Sequence, residues 1–244
     1  MVSLQGAWQF KMKTIAIMQP YFLPYIGYFQ LLAAVDKFVV FDDVNFINRG
    51  WVNRNRLLLN GVAYTFTVPL RGASQNKLIC ELELDDGQNW RGKLLRTIRQ
   101  AYGGAPCYAQ VSILLENVIN YPSIRLDEFL LNSLRQVLSY LALEVEIVST
   151  SRSYKNAHLK GQERILDICR QEQADTYINP IGGVNLYDRS RFLKHNVPLY
   201  FLRSRPVNYC QGKVEHVAWL SIMDVLMFNE PAAVRRLFTE IDLI

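Results

Sequence analysis

The chain has 244 residues, 50% of them hydrophobic, enough to bury a sizeable core in one domain or in one domain with a smaller addition. Charged residues make up 20%, without a charge block, a fixed-period repeat or a low-complexity tract, which argues against extended disorder and repeat architectures. A net charge of +5 favours anionic ligands, but the 27 basic and 22 acidic residues are interspersed, which argues against nucleic acid as a partner.

Residues 1–12, MVSLQGAWQFKM, lack the apolar stretch of a signal peptide and read as a disordered segment or extension. The folded unit is expected from Lys13 onwards. Thr14–Met18 is short, apolar and β-prone, and Gln19-Pro20 ends it in a turn. Ile26–Val35 has helical spacing, and Phe38–Phe41 is a second buried strand stopped by Asp42-Asp43. A strand, a helix and a strand within about 30 residues predict a parallel βαβ crossover. Val62–Leu70 and Leu78–Leu84 read as further strands, and Asn89–Tyr102 as a helix closed by Gly103-Gly104. Leu126–Leu141 is an amphipathic helix, Glu144–Val148 a strand and Lys160–Gln173 another helix. Thr176–Ile178 and Leu199–Leu202 are short strand candidates. Leu220–Phe228 and Ala232–Ile241 are helical pieces split by Pro231. The alternation predicts an α/β fold with a mostly parallel sheet flanked by helices. Its N-terminal half is nucleotide-binding-like. The more helical portion from about 150 to 244 reads either as a cap or as part of the same body. No Pro/Gly/Ser linker sets it apart, which favours a single α/β domain over 13–244.

Cys80, Cys107, Cys169 and Cys210 are far apart and lack histidine at ligand spacing. That argues against a zinc site and fits reduced thiols in a cytoplasmic protein. No apolar run reaches membrane-spanning length, so membrane insertion is not expected. His158, His195 and His216 fall in no catalytic order.

Ligands of open parallel sheets bind beyond the carboxyl ends of the strands. Two groups of residues fall there. After the first strand come Gln19, Tyr21, Tyr25, Gly27 and Tyr28. The prolines fix an extended turn, and Gly27 would let a ligand approach the helix start, whose free N–H groups suit phosphate. Their tyrosine hydroxyls can donate to phosphate, and the rings can stack on a base. Core packing of the same rings is the competing reading. After the second strand come Asp42, Asp43, Arg49, Trp51, Asn53, Arg54 and Arg56. The carboxylates suit general-base or hydroxyl-orienting work, and the arginines suit phosphates or sugar hydroxyls. A solvated, Asx-rich loop is the bland alternative. Together they predict a small anionic substrate such as a sugar nucleotide. Mg²⁺ would suit such a site, but no motif demands it, and no cofactor is specified. A third segment, Tyr177–Asp188, carries Gly182-Gly183 and reads as a loop over a pocket or as a turn. Ser221 reads as a helix N-cap and Asp224 as a first-turn acid.

The blocks MQPYFLPYIGYFQLLAAVDKFVVFDDVNFINRGWVNRNRLL, YGGAPCY, YINPIGGVNLYD, NYCQ and WLSIMDVLMFN resemble the WbqC-like protein family, in order and along nearly the whole chain. The resemblance implies a role in bacterial surface-polysaccharide (O-antigen) biosynthesis. The activity it implies is transfer of an aminoacyl (glycyl-like) or acyl group to a sugar or sugar-nucleotide precursor. A non-catalytic sugar-nucleotide binding protein is the alternative. Tyr25-Ile26-Gly27-Tyr28 is also similar in placement to the His-x-Gly-His turn of nucleotidylyltransferases, with tyrosine at both histidine positions. Neither tyrosine carries positive charge at neutral pH.

Overall fold

A computed structural model describes residues 12–213 and 215–244. The expected N-terminal extension, apart from Met12, lies outside the described residues.

The chain begins with β1 (Thr14–Met18), α1 (Ile26–Ala33) and β2 (Lys37–Val40). β1 and β2 pair in parallel, Ile15 opposite Lys37 and Met18 opposite Val40, as a βαβ crossover requires. An antiparallel hairpin follows, β3 (Arg54–Leu59) with β4 (Val62–Thr67), turned by Asn60-Gly61 with both residues at positive φ. Arg54 and Arg56 therefore stand on a strand and not in the loop that their company of asparagines suggested. The short strands β5 (Leu70–Arg71) and β6 (Glu83–Leu84) pair with each other. Of the strand expected over Leu78–Leu84 only Glu83–Leu84 forms, and Ile79–Glu81 is instead a 3₁₀ turn. The Glu81 carboxylate accepts the Leu78 N–H at 2.8 Å and turns the chain there.

Three helices follow, α2 (Trp90–Tyr102), α3 (Tyr108–Ile119) and α4 (Leu126–Tyr140). Then come β7 (Glu146–Val148), α5 (Gly161–Gln171), β8 (Thr176–Pro180), α6 (Arg189–Lys194) and β9 (Leu199–Ser204). The chain closes with α7 (Ile222–Phe228), α8 (Pro231–Leu237) and β10 (Ile241–Leu243). The last expected helix ends at Leu237, because the final residues pair antiparallel with β9.

The central sheet has six strands in the order β10-β9-β8-β1-β2-β7, all parallel except β10. Side-chain alternation sorts its residues onto two cores. Ile15, Ile17, Val39, Tyr177, Leu199 and Phe201 face a core closed by Ile165 and Ile168 of α5 and Phe192 of α6. Ala16, Phe38, Val40, Ile178 and Leu202 face the larger core, filled from α1 to α4 and from α7 and α8. The chain is thus a mixed α/β protein whose mostly parallel sheet is flanked, among the described residues, by eight helices. Residues 176–243 supply three of the six strands, so this part of the chain is woven into the sheet.

Candidate functional site: the crevice between β1 and β8

From β1 the chain steps to β2 and β7; from β8 it steps the other way, to β9 and β10. β1 and β8 are adjacent and parallel, so the connections that follow them diverge and leave a crevice beyond their carboxyl ends. A cavity of about 400 Å³ lies there. Met18, Gln19 and Tyr21 line one side, Asn179, Gly183 and Tyr187 the other. Phe41, Ile47, Ile165 and Leu186 add apolar surface, which suits a pocket where a few polar groups fix orientation.

Gln19 and Tyr21 are held by their surroundings. The buried Tyr28 donates its hydroxyl to the Gln19 carbonyl at 2.8 Å. The Tyr21 hydroxyl has only a long contact, 3.5 Å, to Gln19 Oε1. Burial, and then Tyr25 alongside, pushes the Tyr21 phenol up to about 12, so at neutral pH it is a neutral donor. Leu23 sits at φ 44°, unusual for a non-glycine residue. That turn is clamped from both sides. Asn55 of β3 donates to the Leu23 carbonyl at 2.8 Å, and Ser221 donates to it at 2.7 Å. On the opposite wall the Asn179 Nδ2 donates to the Pro180 carbonyl at 2.9 Å, and its Oδ1 accepts the Tyr177 hydroxyl at 2.9 Å. Any Cβ at Gly183 would overlap the Asn179 amide, so glycine is what lets the Gly182-Gly183 loop close over it.

A second cavity, about 290 Å³, has Tyr21 as a wall in common with the first. Its other walls are Pro24, Tyr25, Trp51, Asn55, Arg56 and Trp219. Tyr25 meets Trp219 edge-on at 5.9 Å. The Arg54 and Arg56 guanidinium carbons lie 5.4 and 5.6 Å from the Trp51 ring. Arg56 also donates to the Trp219 carbonyl at 3.2 Å.

The remaining residues singled out from sequence are distributed as follows. Asp42 is fully buried; the Thr150 hydroxyl donates to it at 2.8 Å, the Ser151 N–H at 3.0 Å, and Arg152 pairs with it at 3.2 Å. Burial pushes its carboxyl up, against the pull of Thr150 and Arg152. Asp43 accepts from the Ser151 hydroxyl and pairs with the buried Arg164, which also donates to the Asn156 Oδ1 at 3.0 Å. Each of the four carboxylate oxygens thus has an internal donor. Asn53 donates to the Val68 carbonyl at 2.7 Å and is buried. Arg54 folds back onto the Gly50 carbonyl at 2.9 Å, while Arg49 is exposed at φ 60°. A Cβ at Gly27 would overlap the Tyr25 ring, so this glycine makes room for a side chain of the protein itself.

Sequence reasoning left Asn179, Tyr187 and Trp219 out of the site. Gly182-Gly183 was the available signal for the first two; for Trp219 it was its place at the head of the family-like block WLSIMDVLMFN. Asp224 also proves more than a helix-start acid. It is fully buried and accepts from Tyr102 at 2.8 Å, Tyr209 at 2.6 Å and Gln211 at 2.7 Å. Gln211 in turn accepts the Val217 N–H at 2.7 Å, fixing the loop that carries Trp219 at φ 61°. Burial pushes the Asp224 carboxyl up, against the pull of Tyr209, Tyr102 and Gln211. Among the described residues, no group of three or more His, Cys, Asp or Glu side chains is disposed to hold a metal ion, and no helix is long and apolar enough to cross a membrane.

Comparison with known proteins agrees with the extent of this architecture. Uncharacterized protein Rv1507c of Mycobacterium tuberculosis is 31% identical over 186 residues, covering 74% of this chain and 78% of its own length. No solved structure matches the chain. The family model of the WbqC-like proteins matches residues 19–236, from the first residue after β1 to the last helix. That stretch holds every lining residue of the second cavity and all those of the first except Ile17 and Met18, and the chain belongs to the WbqC-like protein family.

Proposed function

We propose that this protein is a transferase of bacterial surface-polysaccharide (O-antigen) biosynthesis that adds an aminoacyl, glycyl-like, or acyl group to a sugar or sugar-nucleotide precursor. The observation that carries this reading is the pair of cavities at the carboxyl edge of the sheet, with Tyr21 as their common wall. A group transfer needs two ligands held side by side, and two compartments meeting at one side chain supply that geometry. The amine or hydroxyl of the acceptor sugar forms the new bond to the acyl carbonyl, the donor's leaving group departs, and the acceptor's proton passes to solvent or to the leaving group. The Tyr21 hydroxyl, a neutral donor with one long contact, suits the carbonyl oxygen at that junction. The Gln19 and Asn179 amides suit sugar hydroxyls. Arg56, which lines the second cavity, is the cation placed for phosphate, with Arg54 beside it over the Trp51 ring and Arg49 exposed on the preceding segment. Asp42 and Asp43, engaged by internal donors, tie together the chain after β2 and β7 beside the crevice in this reading.

That engagement also favours a second reading, a non-catalytic sugar-nucleotide binding protein that scaffolds a biosynthetic complex. One experiment separates the two. The protein is melted with nucleotide sugars, acyl-CoAs and aminoacyl donors, and the stabilising mixtures are analysed by mass spectrometry. A raised Tm with a mass gain on the sugar nucleotide supports the transferase. A raised Tm without product supports the binding protein, and no shift with any ligand sinks both.

A further inference from the structure

We infer that the cleft between Trp51 and Trp219 is a stacking subsite for the base of a nucleotide, with Arg56 placed for the phosphate next to it. This rests on the sugar-nucleotide reading above and adds to it which end of the ligand lies where.

The three described tryptophans are not alike. Trp90 is 6% exposed and packs in the core, whereas Trp51 is 44% and Trp219 49% exposed, and both line one cleft. Tyr25 and Pro24 complete its walls, so the lining is mostly ring surface. Arg54 and Arg56 lean over the Trp51 ring at 5.4 and 5.6 Å, and the ring surface of the two half-exposed tryptophans suits a ligand with flat faces of its own, which every nucleobase has.

The cleft also has a polar end. Arg56 is the charged residue that lines it. Its Nη2 is engaged by the Trp219 carbonyl, but its Nε is buried without a hydrogen-bond partner among the described residues. That Nε is shielded, so the other N–H donors of the guanidinium are the ones that suit a phosphate oxygen. A bare phosphate would leave the rings unused, and an uncharged apolar ligand would leave Arg56 unmatched. A base joined to a phosphate uses both.

The cleft is preorganised. Asn55 accepts the Arg56 N–H at 2.8 Å and so fixes the strand beneath it. Trp219 is held through the Gln211–Asp224 bonds of its loop. Rigid walls of this kind spare a ligand the entropy of ordering them. The shared wall, Tyr21, sets the direction: with the base between the tryptophans, the sugar end extends past Tyr21 into the crevice between β1 and β8.

The test is isothermal titration of the intact protein with UDP-N-acetylglucosamine, dTDP-glucose, GDP-mannose and ADP-glucose, each beside its sugar 1-phosphate. The best nucleotide sugar is expected to bind at least about tenfold tighter than its sugar 1-phosphate, and Trp51→Ala and Trp219→Ala should each weaken it about tenfold. Phe at either position should restore most of the affinity, since it keeps a π-face. Both tryptophans are half exposed, so far-UV circular dichroism and Tm should stay near wild type and exclude a folding defect. Equal binding of nucleotide sugar and sugar 1-phosphate, or an unchanged Kd in the double alanine variant, overturns the base subsite and leaves the sugar-nucleotide reading standing. No binding of any compound to the wild-type protein overturns both.

Discussion

Over β2 and β7 the carboxyl edge of the sheet is closed by its own side chains; over β1 and β8, one strand away, it is left open. On the closed side Asp42 and Asp43 follow β2, and Thr150, Ser151 and Arg152 follow β7. Arg164 comes across from α5, and every carboxylate oxygen has a donor. On the open side the corresponding positions are amides and a phenol, Gln19, Asn179 and Tyr21, around a cavity of about 400 Å³. Both sides are built on parallel strands with the same pleat. They differ in where the chain goes next, because connections leaving β2 and β7 lie together and can pair, while those leaving β1 and β8 diverge. Charge is placed where partners exist, and neutral polar groups where a ligand has room.

The strongest way to break this contrast is at Asp43. Its partner Arg164 has 5% side-chain exposure and Asp43 6%. Asp43→Ala strands a buried guanidinium, and a loss of about 3–5 kcal/mol of unfolding free energy is expected. Urea unfolding reads it directly. A variant within about 1 kcal/mol of wild type would show that the closed side is not structural.

The amino edge offers a smaller, pH-dependent test. Glu172 pairs with Lys37 at 2.7 Å and Lys13 at 2.9 Å and accepts the Tyr154 hydroxyl at 2.6 Å. Burial alone would raise its carboxyl, but Lys37, Tyr154 and Lys13 outweigh that and hold it down at about 2, from an ordinary value of 4.5. A carboxyl lower in the folded than in the unfolded state stabilises fully above pH 4.5 and loses that contribution as pH falls from 4.5 towards about 2. Glu172→Gln should therefore be less stable than wild type by about 1–2 kcal/mol at pH 7, after discounting for solvent, with the gap narrowing below pH 4.5. A gap that stays constant down to pH 3 would place the stabilisation elsewhere, since roughly half the titration window is then crossed.

What the sequence made legible follows from which interactions are local. β1, α1 and β2 are written in apolar runs and a proline turn, and they lie within two residues of the expected bounds. Asp42 and Asp43 were visible as carboxylates at a strand end. Their donors lie 108 to 121 residues further on, and no local pattern announces such pairings. Tyr28 looked like a pocket residue because its hydroxyl is polar; its partner is a backbone carbonyl nine residues back. Asp224 does sit in the first turn of its helix, but three donors from elsewhere turned it inward. α3 passed without an expectation, although Val111, Leu114, Leu115 and Val118 have helical spacing. β10 depends on pairing with β9, about 40 residues earlier, and read locally as the end of a helix.

The finest test of the open side compares two tyrosines whose rings lie 5.7 Å apart. Tyr28 is 3% exposed, and its hydroxyl makes a 2.8 Å bond to the Gln19 carbonyl. Tyr28→Phe removes that bond within the core, and about 1 kcal/mol of stability should go with it. Tyr21 makes only a 3.5 Å contact, beyond good hydrogen-bond length. Tyr21→Phe should therefore change stability by no more than about 0.5 kcal/mol. It should still weaken whichever ligand stabilises the wild-type protein, because the hydroxyl lost is the one at the junction of the cavities. Parallel thermal melts with and without ligand measure both effects. If the two phenylalanine variants lose equal stability, the Tyr21 hydroxyl is bound as firmly as that of Tyr28, and it is not free for a ligand.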